Sequence, residues 1–89
     1  MIMKNKVLIK LIVLELDVTY DVYIPVNEVM WKIKRMLLKI VSDLSGISFQ
    51  QNIEVVLMNK ETCRVYDNND IVIDTDIRNA TEIIFISKL

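Results

Sequence analysis

The chain has no histidine, and among its 89 residues there is one cysteine, one glycine, one proline and one tryptophan. Each shortage excludes something. Without histidine there is no usual general base, no commonest zinc ligand and no side chain that ordinarily titrates near neutrality. A lone cysteine, Cys63, cannot close an internal disulfide, and nothing points to an oxidising compartment. One glycine cannot build a glycine-rich phosphate loop. So little glycine and proline also argues against long linkers or disorder. Charge of neither sign dominates, with 11 basic residues against 12 acidic. The basic stripe of a nucleic-acid binder is therefore missing, and no nucleic-acid partner is expected. The longest unbroken apolar runs, Leu11-Ile12-Val13-Leu14 among them, fall far short of the ~20 residues of a membrane span. Membrane insertion is not expected.

What is present is apolar. Hydrophobic residues make up 53% of the chain, a dense supply for a domain whose size buries only about 60% of its unfolded surface. One domain over residues 1–89 is expected. The opening MIMKNKVLIK lacks a small-residue cleavage site, and Lys10 and Glu15 interrupt its apolar stretch. It reads as a first strand rather than a secretory signal, which places the protein in the cytoplasm.

Hydrophobic spacing then divides the chain. Residues 6–16, KVLIKLIVLEL, suit a strand with one face fully buried. In DVTYDVYIP, Val18, Tyr20, Val22 and Ile24 alternate with Thr19, Asp21 and Tyr23, so a second strand is predicted, joined to the first through a turn at Leu16–Val18. Pro25 ends it, having no N–H for a ladder. Asn27 is a favourable N-cap, and Val29, Ile33, Met36, Leu37, Ile40 and Leu44 form a stripe at helical spacing. Gly46 stands where a helix-ending glycine belongs, so a helix over 27–45 is predicted. Residues 53–58 read as a strand, NKET as a turn and CRVYD as a short partner strand. The segment DNNDIVIDTDIRN reads as an irregular connection pinned by Ile71, Ile73 and Ile77, with Asn79 in a tight turn of positive φ before a last strand over Thr81–Ser87.

Few residues offer chemistry. Lys60 and Arg64 flank Cys63 closely enough to lower a thiol pKa, but a lone cysteine beside no base is ordinarily a strand filler. The cluster Asp67, Asp70, Asp74 and Asp76 lacks the Gly and Glu of a calcium loop and reads as a solvated loop capping its own turns. The terminal Ser87-Lys88-Leu89 spells a peroxisomal address directly against a strand, and is read as coincidence. No catalytic, cofactor or metal residue is assigned. The sharpest anomaly is Trp31 with Leu38, which point away from the apolar stripe with Arg35 between them. Such a pair marks a protein-binding surface or covers neighbouring loops. Trp31, Arg35 and Leu38 are the candidate site.

The resulting order, β-β-α-β-β-β, is that of an α+β, ubiquitin-like β-grasp: a mixed sheet of four to five strands on one amphipathic helix. Its first and last strands would lie parallel at the centre. With YDVYIP, NKETCRVYDNN and DIRNATEIIFI, the whole chain resembles the YukD/EsaB family of small bacterial ubiquitin-like proteins encoded with type VII secretion systems. That resemblance implies a non-enzymatic accessory or regulatory protein that docks on a secretion-system component. Two positions depart from it, Cys63 and Ala80, where such sequences tend to carry glycine. The chain closes in Ser-Lys-Leu rather than Gly-Gly, so conjugation through its tail is not expected. A generic ubiquitin-fold scaffold, and less favourably a modifier or sulfur carrier, are the alternatives. A homodimer through an edge strand around 62–66 or through the Trp31 face remains open.

Overall fold

A computed structural model describes residues 5–50 and 53–88. Residues 1–4, which begin the segment weighed as a signal sequence, and Leu89 of the terminal tripeptide lie outside the described residues. Strands β1 (Lys6–Val13) and β2 (Val18–Pro25) are followed by helix α1 (Met30–Ser45), β3 (Glu54–Asn59) and β4 (Glu82–Lys88). The four strands form one sheet in the order β2-β1-β4-β3. β1 runs antiparallel to β2 and parallel to β4, and β3 runs antiparallel to β4. The first and last strands thus occupy the centre, as their near-continuous apolar character requires.

Ile9, Leu11 and Val13 of β1, Leu57 of β3, and Ile83 and Phe85 of β4 are buried against Met30, Ile33, Leu37 and Val41 of α1. Burying one such side chain contributes about 1.5–3 kcal/mol, so this layer supplies the main drive for folding. The predicted stripe is correct at Ile33 and Leu37, but its centre lies along 30–33–37–41. The core line ends at Val41, one turn before the helix does, and leaves Leu44 59% exposed.

Several local features differ from the sequence reading, each for a geometric reason. β1 ends at Val13, because Leu14–Leu16 wind into a 3₁₀ turn that Asp17 closes at φ 52°. Helix α1 begins at Met30 rather than Asn27, with Val29 at the N-cap position and no side-chain cap. The connection 68–73 takes over that role. The Asp70 carbonyl accepts from the Met30 N–H at 2.7 Å and the Asn68 carbonyl accepts from the Trp31 N–H at 3.1 Å. Helix N–H groups satisfied by another segment need no side-chain cap.

The same connection runs back along 26–29. Ile73 N–H donates to the Val26 carbonyl and Val72 N–H to the Glu28 carbonyl. Ile71 is extended and bridges Val29, and Val72–Asp74 then wind into a 3₁₀ turn that buries Val72 fully, whereas Ile71 and Ile73 are 40% and 56% exposed. Of the expected anchors only Ile77 is buried. CRVYD forms no strand, meeting β3 at the single bridge Met58–Val65. There Tyr66 enters the core and Val65 remains exposed. The positive φ assigned to Asn79 belongs to its neighbour Ala80 (71°), and Cys63 is another non-glycine residue in that conformation (62°).

Candidate functional site

The face of α1 opposite the sheet carries what the core does not use. Trp31 is 40% exposed, Arg35 is exposed, and Leu38 is half-buried against the edge of the core. The helix brings all three together, as their spacing of four and three residues requires. Two cations attend the indole: Lys32 Nζ lies 5.4 Å and Arg35 Cζ 6.0 Å from the ring centroid. Contacts of this kind contribute about 0.5–1 kcal/mol at exposed sites, enough to hold an orientation but not to need the indole for folding.

Trp31, Arg35 and Leu38 form a ridge between two grooves. One, of about 870 Å³, continues along the helix past Lys39 and Ser42 to Phe49. The other, of about 370 Å³, lies between the helix and β3, with Ile53, Val55 and Val65 along its far side. Sequence reasoning missed Phe49 and Val65, which reach the ridge from segments that only the fold brings near it. Lys34 stands at the second groove and donates to Asn68 Oδ1 at 2.7 Å. Desolvation there lowers its ammonium below the usual lysine range, with Glu54 and Asp67 acting in the opposite direction.

The groups with chemical potential elsewhere are engaged in structure. Cys63 is exposed on the β3–Tyr66 turn, its N–H bonded to the Asn59 carbonyl at 2.8 Å. The four aspartates of 67–76 do not converge. Asp70 takes Arg64 at 3.6 Å and the Asp67 N–H at 3.0 Å. Asp76 instead accepts from the Tyr66 hydroxyl at 2.5 Å, inside a pocket shared with Asn59. Burial and then the bond to Asp76 push the Tyr66 phenol up to about 12. Among the described residues no group of His, Cys, Asp and Glu side chains is arranged to hold a metal, and no helix is long and apolar enough to cross a membrane.

No protein-family model matches the chain, and no curated protein matches it. Solved structures do. A chain of the MycP5-free ESX-5 inner membrane complex superposes with a TM-score of 0.74 at 13% identity, over 94% of this chain and 21% of that one. The match is thus to a small part of a much longer protein. The EccD5 ubiquitin-like domain from Mycobacterium xenopi gives 0.74 at 11% identity, over 94% of this chain and 96% of that domain. The N-terminal ubiquitin-like domain of the 4931431F19Rik protein gives 0.67 at 12% identity, over 96% and 77%. Likeness at such identity speaks for the fold alone, and the fold is the ubiquitin-like β-grasp.

Proposed function

We propose that this chain is a non-enzymatic ubiquitin-like accessory or regulatory protein of a type VII secretion system, of the YukD/EsaB kind. It works in the cytoplasm as a folded body, without conjugation to other proteins, and it docks on another component of the system through the Trp31–Arg35–Leu38 ridge. The observation that carries this reading is the half-exposed Trp31 between two cations, on a helix face that the core does not use. The shape shared with the EccD5 ubiquitin-like domain supports the setting. Binding is the activity we assign to this face.

The test uses the purified chain and its Trp31→Ala variant as parallel baits in lysate of the source organism. An exposed aromatic anchor typically contributes ~2 kcal/mol or more to binding, about thirtyfold in affinity. Wild type should recover a membrane component or ATPase of the secretion system, and the variant should lose it while melting at nearly the same temperature. Recovery of no such component by wild type would refute the assignment. An intact mass equal to that encoded, without adducts in lysate, checks the absence of conjugation. A second reading is a ubiquitin-fold interaction domain outside secretion, since likeness at such low identity carries the fold and not the setting. Capture of a non-secretion partner that depends on Trp31 would support it.

A further inference from the structure

The outward face of α1 carries a second period beside that of its core. Trp31, Arg35, Leu38 and Ser42 follow one another at intervals of four, three and four residues, and all of them line the 870 Å³ groove. Such spacing, about 3.5 residues on average, is the seam along which one helix seats another. Trp31 and Leu38 supply the bulk of the seam. Ser42 allows a close approach, because its hydroxyl already donates to the Ile47 carbonyl at 2.6 Å and needs no further acceptor. Phe49, half-buried against the core, closes the far end. The result is a trough that runs with α1, a shape that fits a cylinder better than a flat bilayer.

The trough also has a sign. Lys32 and Lys39 each follow a bulky seam residue by one position, so they flank the seam on one side, where paired helices place their matching charges. Lys32 reaches Glu28 at 3.6 Å, whereas Arg35 and Lys39 make no ion pair among the described residues. Both are exposed. Against these cations, Asp43 is the one carboxylate lining the groove among the described residues. Like charges brought face to face repel, and opposite ones select a partner. A second copy of this face is therefore a poor occupant, and an acidic helix is a good one.

We propose that α1 docks an acidic amphipathic helix of a partner protein in this trough, packed along the seam from Trp31 to Ser42. The partner's aliphatic side chains, spaced by three and four residues, rest on Trp31 and Leu38. Its carboxylates flank that stripe and pair with Arg35 and Lys39. Apolar packing gives the complex its affinity, and the charges give it selectivity. The proposal rests on the docking reading above and names the kind of partner that the ridge takes.

The probe is an acetylated, amidated peptide of sequence EIAALEQEIAALEQEIAALEQ, titrated into the wild-type chain. Trp31 is the only tryptophan, so its fluorescence reports the seam directly. Saturable binding is expected, with the Arg35, Leu38 and Phe49 amides shifted in the NMR spectrum. Replacing the glutamates by lysine, or the central leucine by proline, should each weaken binding at least about tenfold. Arg35→Glu and Lys39→Glu, made together in a chain shown by its NMR spectrum to be folded, should reverse the preference. That variant should bind the lysine peptide at least about tenfold more tightly than the glutamate one. No saturation by the glutamate peptide up to about 1 mM, equal binding by the proline peptide, or an unreversed preference would overturn the proposal. So would uptake on vesicles of equal phosphatidylcholine and phosphatidylglycerol while the peptide is inert, which would make the occupant a lipid surface. Trp31-dependent capture of a secretion component, together with an inert peptide, would leave docking standing and remove only this occupant. A bound peptide without any captured secretion component would uphold the occupant and refute the assignment to secretion.

Discussion

Ala80 and Cys63 hold left-handed backbone conformations, φ 71° and 62°, that side chains with a Cβ adopt at a cost. Ala80 is held there by its surroundings. Its N–H donates to the Leu8 carbonyl at 2.7 Å, and Asn79 Oδ1 accepts from the Leu8 N–H at 2.9 Å. The turn cannot relax without releasing β1. The left-handed conformation costs roughly 1–2 kcal/mol for an L-residue. Glycine removes that cost but adds about 0.4–1 kcal/mol of backbone freedom to the unfolded chain. Ala80→Gly should therefore stabilise the fold by about 0.5–1 kcal/mol, equivalent to roughly 2–8 °C in a domain of this size. Cys63→Gly should do the same, since the thiol is exposed and contributes little packing. Gly46 supplies the reverse experiment. It sits at φ 75°, and a Cβ added there would meet nothing within 4 Å. Gly46→Ala therefore measures backbone strain without steric clash, and should destabilise by about 1 kcal/mol. Urea melts of the four proteins at one pH, compared by midpoint at constant slope, provide the assay. If Ala80→Gly lowers stability while Gly46→Ala leaves it unchanged, strain at positive φ is not what these positions carry.

Leu37→Ala should cost about 2–5 kcal/mol by opening a cavity beneath the sheet, whereas Leu44→Ala should stay within about 0.5 kcal/mol. Chemical denaturation of the pair decides between the observed helix face and the one extended to residue 44. Tyr66 stays neutral in the fold with its pKa raised to about 12, so its contribution is present below the unfolded value near 10 and is lost as pH rises through 12. That loss amounts to up to about 3 kcal/mol. The absorbance at 295 nm attributable to Tyr66, taken as the difference between wild type and Tyr66→Phe, should rise near pH 12; a rise near 10 would contradict the burial argument. At neutral pH the same variant should lose about 1–3 kcal/mol, because Asp76 loses its hydroxyl donor.

Much of this arrangement was legible because its signals are local. The alternation in 18–24, the helix closed by Gly46 and the apolar end strands each follow from one period or one conformational preference. What was not legible depends on distant segments. No local pattern shows that carbonyls from 68 and 70 would cap α1, so Asn27 looked like the cap. Hydrogen bonds from Val72 and Ile73 to residues 28 and 26, with the 3₁₀ turn that starts at Val72, placed Val72 in the core instead of its neighbours. At the site, Trp31, Arg35 and Leu38 share one helix and could be read from spacing alone. Val65 and the β3 residues Val55 and Val56 could not, because they join the ridge only after the sheet has formed.

The parallel pairing of β1 with β4 has a consequence for how the protein is made. Leu8 and Asn79 meet although 71 positions separate them, and Lys10 to Val13 lie beside Glu82 to Phe85. A ribosome delivers β1 first and β4 last. Until β4 emerges, β1 has β2 as a neighbour on one side only, and a lone hairpin is marginal in water. Distant contacts of this kind also slow folding, since loop closure precedes any gain from packing. The nascent chain therefore travels with its central strand unpaired on one edge, and acquires its sheet in a single late step. Chaperone demand and sensitivity to translational pausing should accordingly concentrate between the synthesis of α1 and that of the final strand.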